Sequence, residues 1–371
     1  MEAQHQYKIL FVRRRDVADT MGSMDRLWIG AKTLSMALGL VFSLACSSGK
    51  VERKAAMKPV LGPEAVNGHL AKFSDGARWR LESVLLNERF DGVIDAEVVK
   101  NVLGLQGDGM TWEQFMLEML PLAQLYSLPP TSAYRVGAVC GGASGNIYFG
   151  ANLELANAPL GFTIHAEQSA IANAVAHGEK AIQRLAVTAA PCGHCRQFLN
   201  ELTTASTLEV IIAGKPATTL TALLPNSFGP ADLGVQGGLG GQMETQMVLP
   251  SGATSPIAQA ALRAASRSYS PYTQSHSGVA FRLEDGTIVA GSYIESAAYN
   301  PSLPPVIAAI SRLRFSGRQY SDISEALLVE LESAKVSQEG MTRLVLRGIA
   351  PDLELRIMKA RSRTNAQTGV Q

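Results

Sequence analysis

The chain has 371 residues, 46% of them hydrophobic, and a formal net charge of +1. That apolar content excludes a disordered chain, and the length suits two domains with extensions. The balanced charge provides no overall electrostatic footprint for nucleic acid. Four cysteines are too few for a disulfide framework in a chain this long, so Cys192 and Cys195, spaced C-x-x-C, read as a metal or redox pair.

In chain order, the first feature is the apolar run Thr33–Cys46, with Arg13, Arg14, Arg15, Arg26 and Lys32 upstream. It is shorter than the roughly 20 residues of a membrane span and has the make-up of a signal-peptide core. The competing reading is an extension ahead of a soluble protein that opens at Met57. A cytoplasmic mature enzyme that needs no membrane is the expectation, with targeting or anchoring through 33–46 as the alternative.

Residues 68–125 carry apolar positions at helical spacing, and Thr111 with Gln114 has the form of a capping box. Asp108-Gly109 marks a turn before it. From Tyr134 the period changes. YRVGAVC and NIYFGANLEL alternate as two strands around Gly-Gly-Ala-Ser-Gly. A helix from His165, a strand over LAVTAA, a helix from Cys192 and a strand over LEVIIAG follow. Strands alternating with helices indicate an α/β layer fold. The glycine-rich stretch 234–242 reads as a flexible linker. Beyond it the chain repeats itself. Tyr126-Ser127 is echoed by Tyr269-Ser270, Val136–Val139 by Ser277–Ala280, and Gly150–Glu154 by Gly291–Glu295. The second copy has no cysteine and a Pro-rich NPSLPP where the first has His165-Ala166-Glu167, so it reads as a metal-free, degenerate copy.

Two motifs carry the chemistry, His165-Ala166-Glu167 and Pro191-Cys192-Gly193-His194-Cys195. Each is weak alone. In this order they reproduce the H-x-E…P-C-x-x-C signature of zinc-dependent base deaminases. One imidazole and two thiolates supply three zinc ligands and leave a fourth position for water. Both motifs fall where helices begin, and a helix start favours thiolates. Glu167, two residues past His165, is then free to act as proton shuttle rather than ligand. His194 is a competing fourth ligand, which would close the site and make it structural. Arg196 is a candidate hydrogen-bond donor to a thiolate.

With these motifs the chain resembles the cytidine deaminases, specifically the larger two-domain homodimeric type of enterobacteria and plants. Phe149–Glu154, His165–Ile171, Gly178–Ala181, Pro191–Leu202, Phe228-Gly229-Pro230 and Ser292…Asn300–Pro305 carry the resemblance, over roughly residues 64–357. It implies one zinc ion per subunit on His165, Cys192 and Cys195, with Glu167 catalytic. It implies hydrolysis of cytidine and 2′-deoxycytidine to the uridines, in pyrimidine salvage. Asn152 and Glu154 correspond to the family's ribose-binding N-x-E, Tyr134 to an aromatic packed on the pyrimidine, and Phe228 to a residue near that ring. If 152–154 is strand, Asn152 and Glu154 share a face and Leu153 offers only backbone. Family active sites lie at subunit interfaces, so a homodimer is implied, with a free pyrimidine nucleoside and not nucleic acid as partner.

The expected fold is a duplicated three-layer α/β/α arrangement of cytidine-deaminase type with an N-terminal helical segment. It divides into an extension, for targeting or disordered (1–63), the helical segment (64–110), the catalytic zinc domain (111–233), a Gly-rich linker (234–248), the non-catalytic copy (249–360) and a polar tail (361–371). Competing functions are a deaminase of cytosine in a polynucleotide, a structural zinc module and a thioredoxin-like redox protein. The first needs a basic channel with stacking aromatics; the last needs a reversible Cys192–Cys195 disulfide.

Overall fold

A computed structural model describes residues 60–363, apart from 108, 157, 242–243 and 251–252. The apolar run 33–46, its upstream basic residues, Asp108 of the expected turn and the tail beyond 363 lie outside the described residues. Among those described, no helix is long and apolar enough to cross a membrane.

Helices α1 (Pro63–Leu70) and α2 (Asp75–Leu85) come first, then the two-residue strand β1 (Val93–Ile94) and helices α3 (Ala96–Gln106) and α4 (Trp112–Gln124). The Thr111 hydroxyl accepts from Gln114 N, and Gln114 Oε1 accepts from Thr111 N, so the capping box satisfies two donors at the start of α4. The helical stretch is interrupted at β1, which pairs with the strand at 147–148 and is preceded by Gly92 at φ +85. That left-handed turn is what a purely periodic reading passes over.

The first copy continues with β2 (Gly137–Gly142), β3 (Ile147–Ala151), α5 (Ala166–Ala176), β4 (Ile182–Val187), α6 (Gly193–Leu199), β5 (Glu209–Ile212), β6 (Thr218–Thr219) and α7 (Leu220–Leu223). Its sheet runs β1-β3-β2-β4-β5-β6, with β4 and β5 parallel. After β7 (Met247–Val248), the second copy has α8 (Pro256–Ser266), β8 (Ser277–Leu283), β9 (Ile288–Ser292), α9 (Pro305–Phe315), β10 (Ile323–Leu331), α10 (Glu339–Ile349) and β11 (Leu355–Ser362). Its sheet runs β7-β11-β10-β8-β9, with β10 and β11 parallel. The two copies share pairing register: Gly137 faces Ala151, and Gly278 faces Ser292.

Alternation along the strands builds the layers. Val139, Phe149, Ala186 and Ile211 pack with α1–α4 on one face of the first sheet. Their neighbours Ala138, Cys140, Leu185 and Val210 join one core with α5, α9 and the second copy's Val279, Phe281 and Leu328. On the far face of the second sheet, Ala280, Leu327 and Val329 meet α8. Each copy is thus an α/β/α sandwich, and α5 and α9 form the layer between them. The Ser169 and Ser311 hydroxyls meet at 2.7 Å inside that layer.

Two expectations change. The echo of Tyr126-Ser127 is Arg267-Ser268, because Leu128 bridges Leu153 as Tyr269 bridges Ile294, an offset identical to that of the strands. The glycine-rich stretch is packed at Gly238 and Leu239, where a flexible linker was expected. Leu239 is fully buried, donates to Glu201 O at 2.6 Å and accepts from Thr203 N. A Cβ at Gly238 would lie 2.5 Å from Glu201 O. Glycine serves close approach there, not looseness.

Candidate active site

Close packing of α5 on β3 sets the first half of the site. A Cβ at Gly150 would lie 2.1 Å from Ala166 O, so only glycine lets the helix start sit this low. His165 is the N-cap residue of α5, and Glu167 lies in its first turn. Parallel β4 and β5 deliver the second half, because the loop after β4 ends at Cys192, the N-cap residue of α6. Arg196 does not touch a thiolate, contrary to expectation. Its Nε donates to Pro191 O at 2.8 Å and its Nη1 to Leu223 O at 2.7 Å. The guanidinium fork therefore holds the loop that precedes Cys192.

The three sequence-predicted ligands converge. His165 Nδ1 is 3.4 Å from Cys192 Sγ and 3.2 Å from Cys195 Sγ, and the two sulfurs are 3.7 Å apart. Tetrahedral zinc with the usual bond lengths requires edges of about 3.8 Å between sulfurs and about 3.6 Å between sulfur and nitrogen. The triangle matches these within a few tenths of an ångström, and the donor set of one imidazole and two thiols suits zinc. Among the described residues this is the one His, Cys or carboxylate group able to hold a metal. His194 stays outside it, its ring centroid 5.3 Å from that of His165, so the fourth corner has no protein ligand.

The electrostatics of these side chains favour a cation among them. Pairing with Cys195 brings Cys192 down to about 4, and the same pairing, with burial and the Glu167 charge, pushes Cys195 up. Glu167 is 4% exposed, and burial raises its pKa against its hydrogen bonds and the His165 charge. Two sulfurs and a buried carboxylate at this spacing cannot all be anionic without a positive charge among them.

A cavity of about 280 Å³ opens beside this group, lined in part by Tyr134, Asn152, Glu154, Thr163, His165 and Glu167. β3 ends at Ala151, so Asn152–Glu154 lie just past the strand, yet the backbone stays extended because Leu153 bridges Leu128 and Ile164. Asn152 and Glu154 therefore both face the cavity. Leu153 does not line it. Its side chain is buried, and its N–H and C=O both pair with Ile164, which leaves its N–H nothing for a ligand. Tyr134 lines the cavity and is 62% exposed. Phe228 is not among the lining residues of its own chain. It is half exposed beyond α7, where its carbonyl accepts from Gln197 Nε2 and Asn200 Nδ2.

Asn152 and Glu154 are held in place by hydrogen bonds that the sequence did not reveal. Asn152 Oδ1 accepts from the Ser127 hydroxyl and from Val136 N, and its Nδ2 donates to Tyr134 O at 2.9 Å. Glu154 Oε2 accepts from Thr131 N at 2.8 Å and Ser132 N at 2.9 Å, and Oε1 accepts from the Ser132 hydroxyl. Burial raises the Glu154 pKa, but these donors outweigh it and the net shift is down. Of its roughly four acceptor sites, three are used, which leaves one for a ligand hydroxyl. Thr131 and Ser132 carry no sequence signal beyond two hydroxyls ahead of an aromatic.

An α/β fold holding one histidine, two cysteines and a separate buried carboxylate around an open corner defines a zinc-dependent hydrolase. Comparison with known proteins narrows the class. Residues 110–211 and 220–343 each match the family pattern described as cytidine and deoxycytidylate deaminase zinc-binding region. The cytidine deaminase of Vibrio atlanticus (strain LGP32) is 42% identical over 273 residues, 74% of this chain and 91% of that protein. That of Yersinia pestis (strain Pestoides F) is 42% identical over 282 residues, 75% of this chain and 94% of that protein. Among solved structures, Burkholderia pseudomallei cytidine deaminase matches at 32% identity and a TM-score of 0.29, over 32% of this chain and 100% of that one. The chain belongs to the cytidine deaminase family. Its 220–343 match contains no cysteine, so the zinc-binding description falls on a segment that lacks the thiolate ligands.

Proposed function

We propose that this protein deaminates cytidine and 2′-deoxycytidine by zinc-dependent hydrolysis, in pyrimidine salvage. The observation that carries the reading is the His165–Cys192–Cys195 triangle, with tetrahedral edges and Glu167 buried beside its open corner. His165, Cys192 and Cys195 hold one zinc ion per chain. When bound, zinc supplies a water whose pKa is brought near neutrality. Glu167 takes a proton from the attacking water and delivers it to the pyrimidine ring nitrogen. It then takes the second proton from the hydroxyl newly bonded to C4 and passes it to the amine as the C4–N bond breaks and C4=O forms, so cytidine and water become uridine and ammonia. Burial, which raises the Glu167 pKa, favours a carboxyl able to return that proton.

Asn152 and Glu154 bind the ribose, chiefly its 3′-hydroxyl, through the remaining N–H and the remaining carboxylate lone pair. A 3′-phosphate would meet the Glu154 charge, which favours free nucleosides over polynucleotides. Tyr134 packs on the pyrimidine. Phe228, outside the lining of its own chain's cavity, together with exposed Tyr134 and Leu160, supports a homodimer in which these side chains are covered. The catalytic domain spans 111–233 and the metal-free copy 249–360, with 64–110 as a helical flank and 234–248 joining the copies. The mature enzyme is cytoplasmic; N-terminal sequencing of the natural protein tests this against processing near Cys46. Ultraviolet spectroscopy with cytidine, beside a zinc measurement, tests the activity. Loss of the cytidine absorbance with about one zinc per chain is expected; zinc-loaded protein inert on cytidine refutes the reading.

A further inference from the structure

Glu201 follows α6, the helix whose first turn carries Cys195, and its side chain is completely buried. Every partner found for its carboxylate comes from the metal-free copy. Oε2 accepts from the phenols of Tyr272 at 2.6 Å and Tyr269 at 3.1 Å, and Oε1 from Ala297 N at 2.7 Å. Tyr269 and Tyr272 stand where the first copy has Leu128 and Thr131, so these phenols belong to the second copy alone. The loop bearing them is held as its counterpart is. Glu295 Oε2 accepts from Tyr272 N at 2.9 Å and Thr273 N at 3.2 Å, and Oε1 from the Thr273 hydroxyl, repeating the contacts of Glu154. Gln274 at φ +58 repeats Ala133 at φ +55. A clasp that holds a substrate-side loop in one copy persists in a copy without the zinc ligands.

We propose that Glu201 is a positioning residue for the zinc centre, through which the metal-free copy, by Tyr269 and Tyr272, fixes the far end of the cysteine-bearing helix. The proposal rests on His165, Cys192 and Cys195 as the zinc ligands. The geometry makes α6 a lever. Its seven residues span about 10 Å, so a tilt of about 6° at Glu201 moves the sulfurs by about 1 Å. Zinc–ligand distances stay within about 0.2 Å of their usual values. The start of the helix has its own tether in Arg196, and the corner after it is pinned by Leu239 N on Glu201 O. The carboxylate clasp is what ties this assembly to the second copy's loop. It also explains why the Glu295 clasp is retained: it holds Tyr272 in place.

The test is the rate at which zinc passes from the full-length protein to a chromogenic chelator, measured well below the unfolding temperature. Glu201→Gln and Tyr272→Phe should each release zinc about 10–100-fold faster, the usual cost of removing an outer support of a metal site. The double variant should be no faster than the faster single one, because both break one connection. Leu327→Ala, a cavity on the far face of the second sheet in the cluster with α8, which includes no residue of α6 and neither tyrosine, should lower Tm and leave the release rate unchanged. Wild-type release rates in both single variants would overturn the proposal, as would equally rapid release from Leu327→Ala. If Glu201→Gln does not fold, Tyr272→Phe removes one hydroxyl and carries the test alone. Wild-type protein that holds no zinc refutes the ligand assignment instead, a distinguishable result.

Discussion

The repeat supplies a control for the ribose assignment that a single-domain enzyme would lack. Glu154→Ala removes a carboxylate that accepts two backbone N–H groups and one hydroxyl from residues 131–132. Glu295→Ala removes the same three contacts in the other copy. Both carboxylates are buried, at 9% and 2% exposure, so each substitution strands two amides and should cost about 2–3 kcal/mol of stability. The kinetic consequences should differ. Glu154 has one acceptor site left for the ribose, and a hydrogen bond to a charged group contributes about 1.5–3 kcal/mol, or roughly 10–150-fold in kcat/KM. Chemical denaturation and steady-state assays on cytidine, with zinc content checked, measure both quantities. Similar losses of stability with a kinetic loss in Glu154→Ala alone are expected. Unchanged kinetics in Glu154→Ala, or an equal kinetic loss in zinc-replete Glu295→Ala, would refute direct ribose contact.

Glu167→Gln should keep about one zinc per chain and lower kcat by about 10²–10⁴-fold, the range of a general acid–base group; wild-type turnover would remove Glu167 from the mechanism. After zinc is stripped, Cys192, brought down to about 4, should be alkylated ahead of buried Cys195 and Cys140, at a rate nearly flat above pH 5. Peptide mass mapping reads the order, and zinc should protect Cys192. Asp91 ties the helical flank to both copies, with His177 Nε2 at 2.9 Å and Arg312 Nη2 at 3.2 Å from its carboxylate. Burial raises its pKa, but His177 and Arg312 outweigh this and hold it below the ordinary 3.8. Such a group stabilises the fold above about pH 4 and loses that contribution as pH falls through its lower folded value. Asp91→Asn should therefore lower Tm by at most about 2–4 °C at pH 7, since the pair is partly exposed, and flatten the decline below pH 4. A Tm decline in acid as steep as that of wild type would contradict this.

Chemistry that depends on spacing within one segment was readable in the chain itself. H-x-E at one helix start and P-C-x-x-C at another point to a zinc site, with the proposed ligands and a proposed free carboxylate among them, because zinc accepts few donor types in few spacings. The period of two in YRVGAVC and NIYFG gave strands, and the offset between Gly150 and Gly291 gave duplication. Properties that depend on where distant segments meet were not readable. Composition makes 234–242 a linker, but the narrow space beside Glu201 O makes Gly238 packed backbone. Arg196 next to a thiolate in sequence faces carbonyls instead, since the turn into α6 directs its fork to Pro191 and Leu223. Phe228 belongs to the same family motif set as Tyr134, yet the loop after α7 carries it away from its own chain's cavity. Glu201 looked like one more residue of a conventional motif. Only the packing of the second copy shows a fully buried carboxylate taking three donors from loops about 70–100 residues away, because hydrogen-bond partners of a buried charge are selected by proximity in space and leave no periodic mark in sequence.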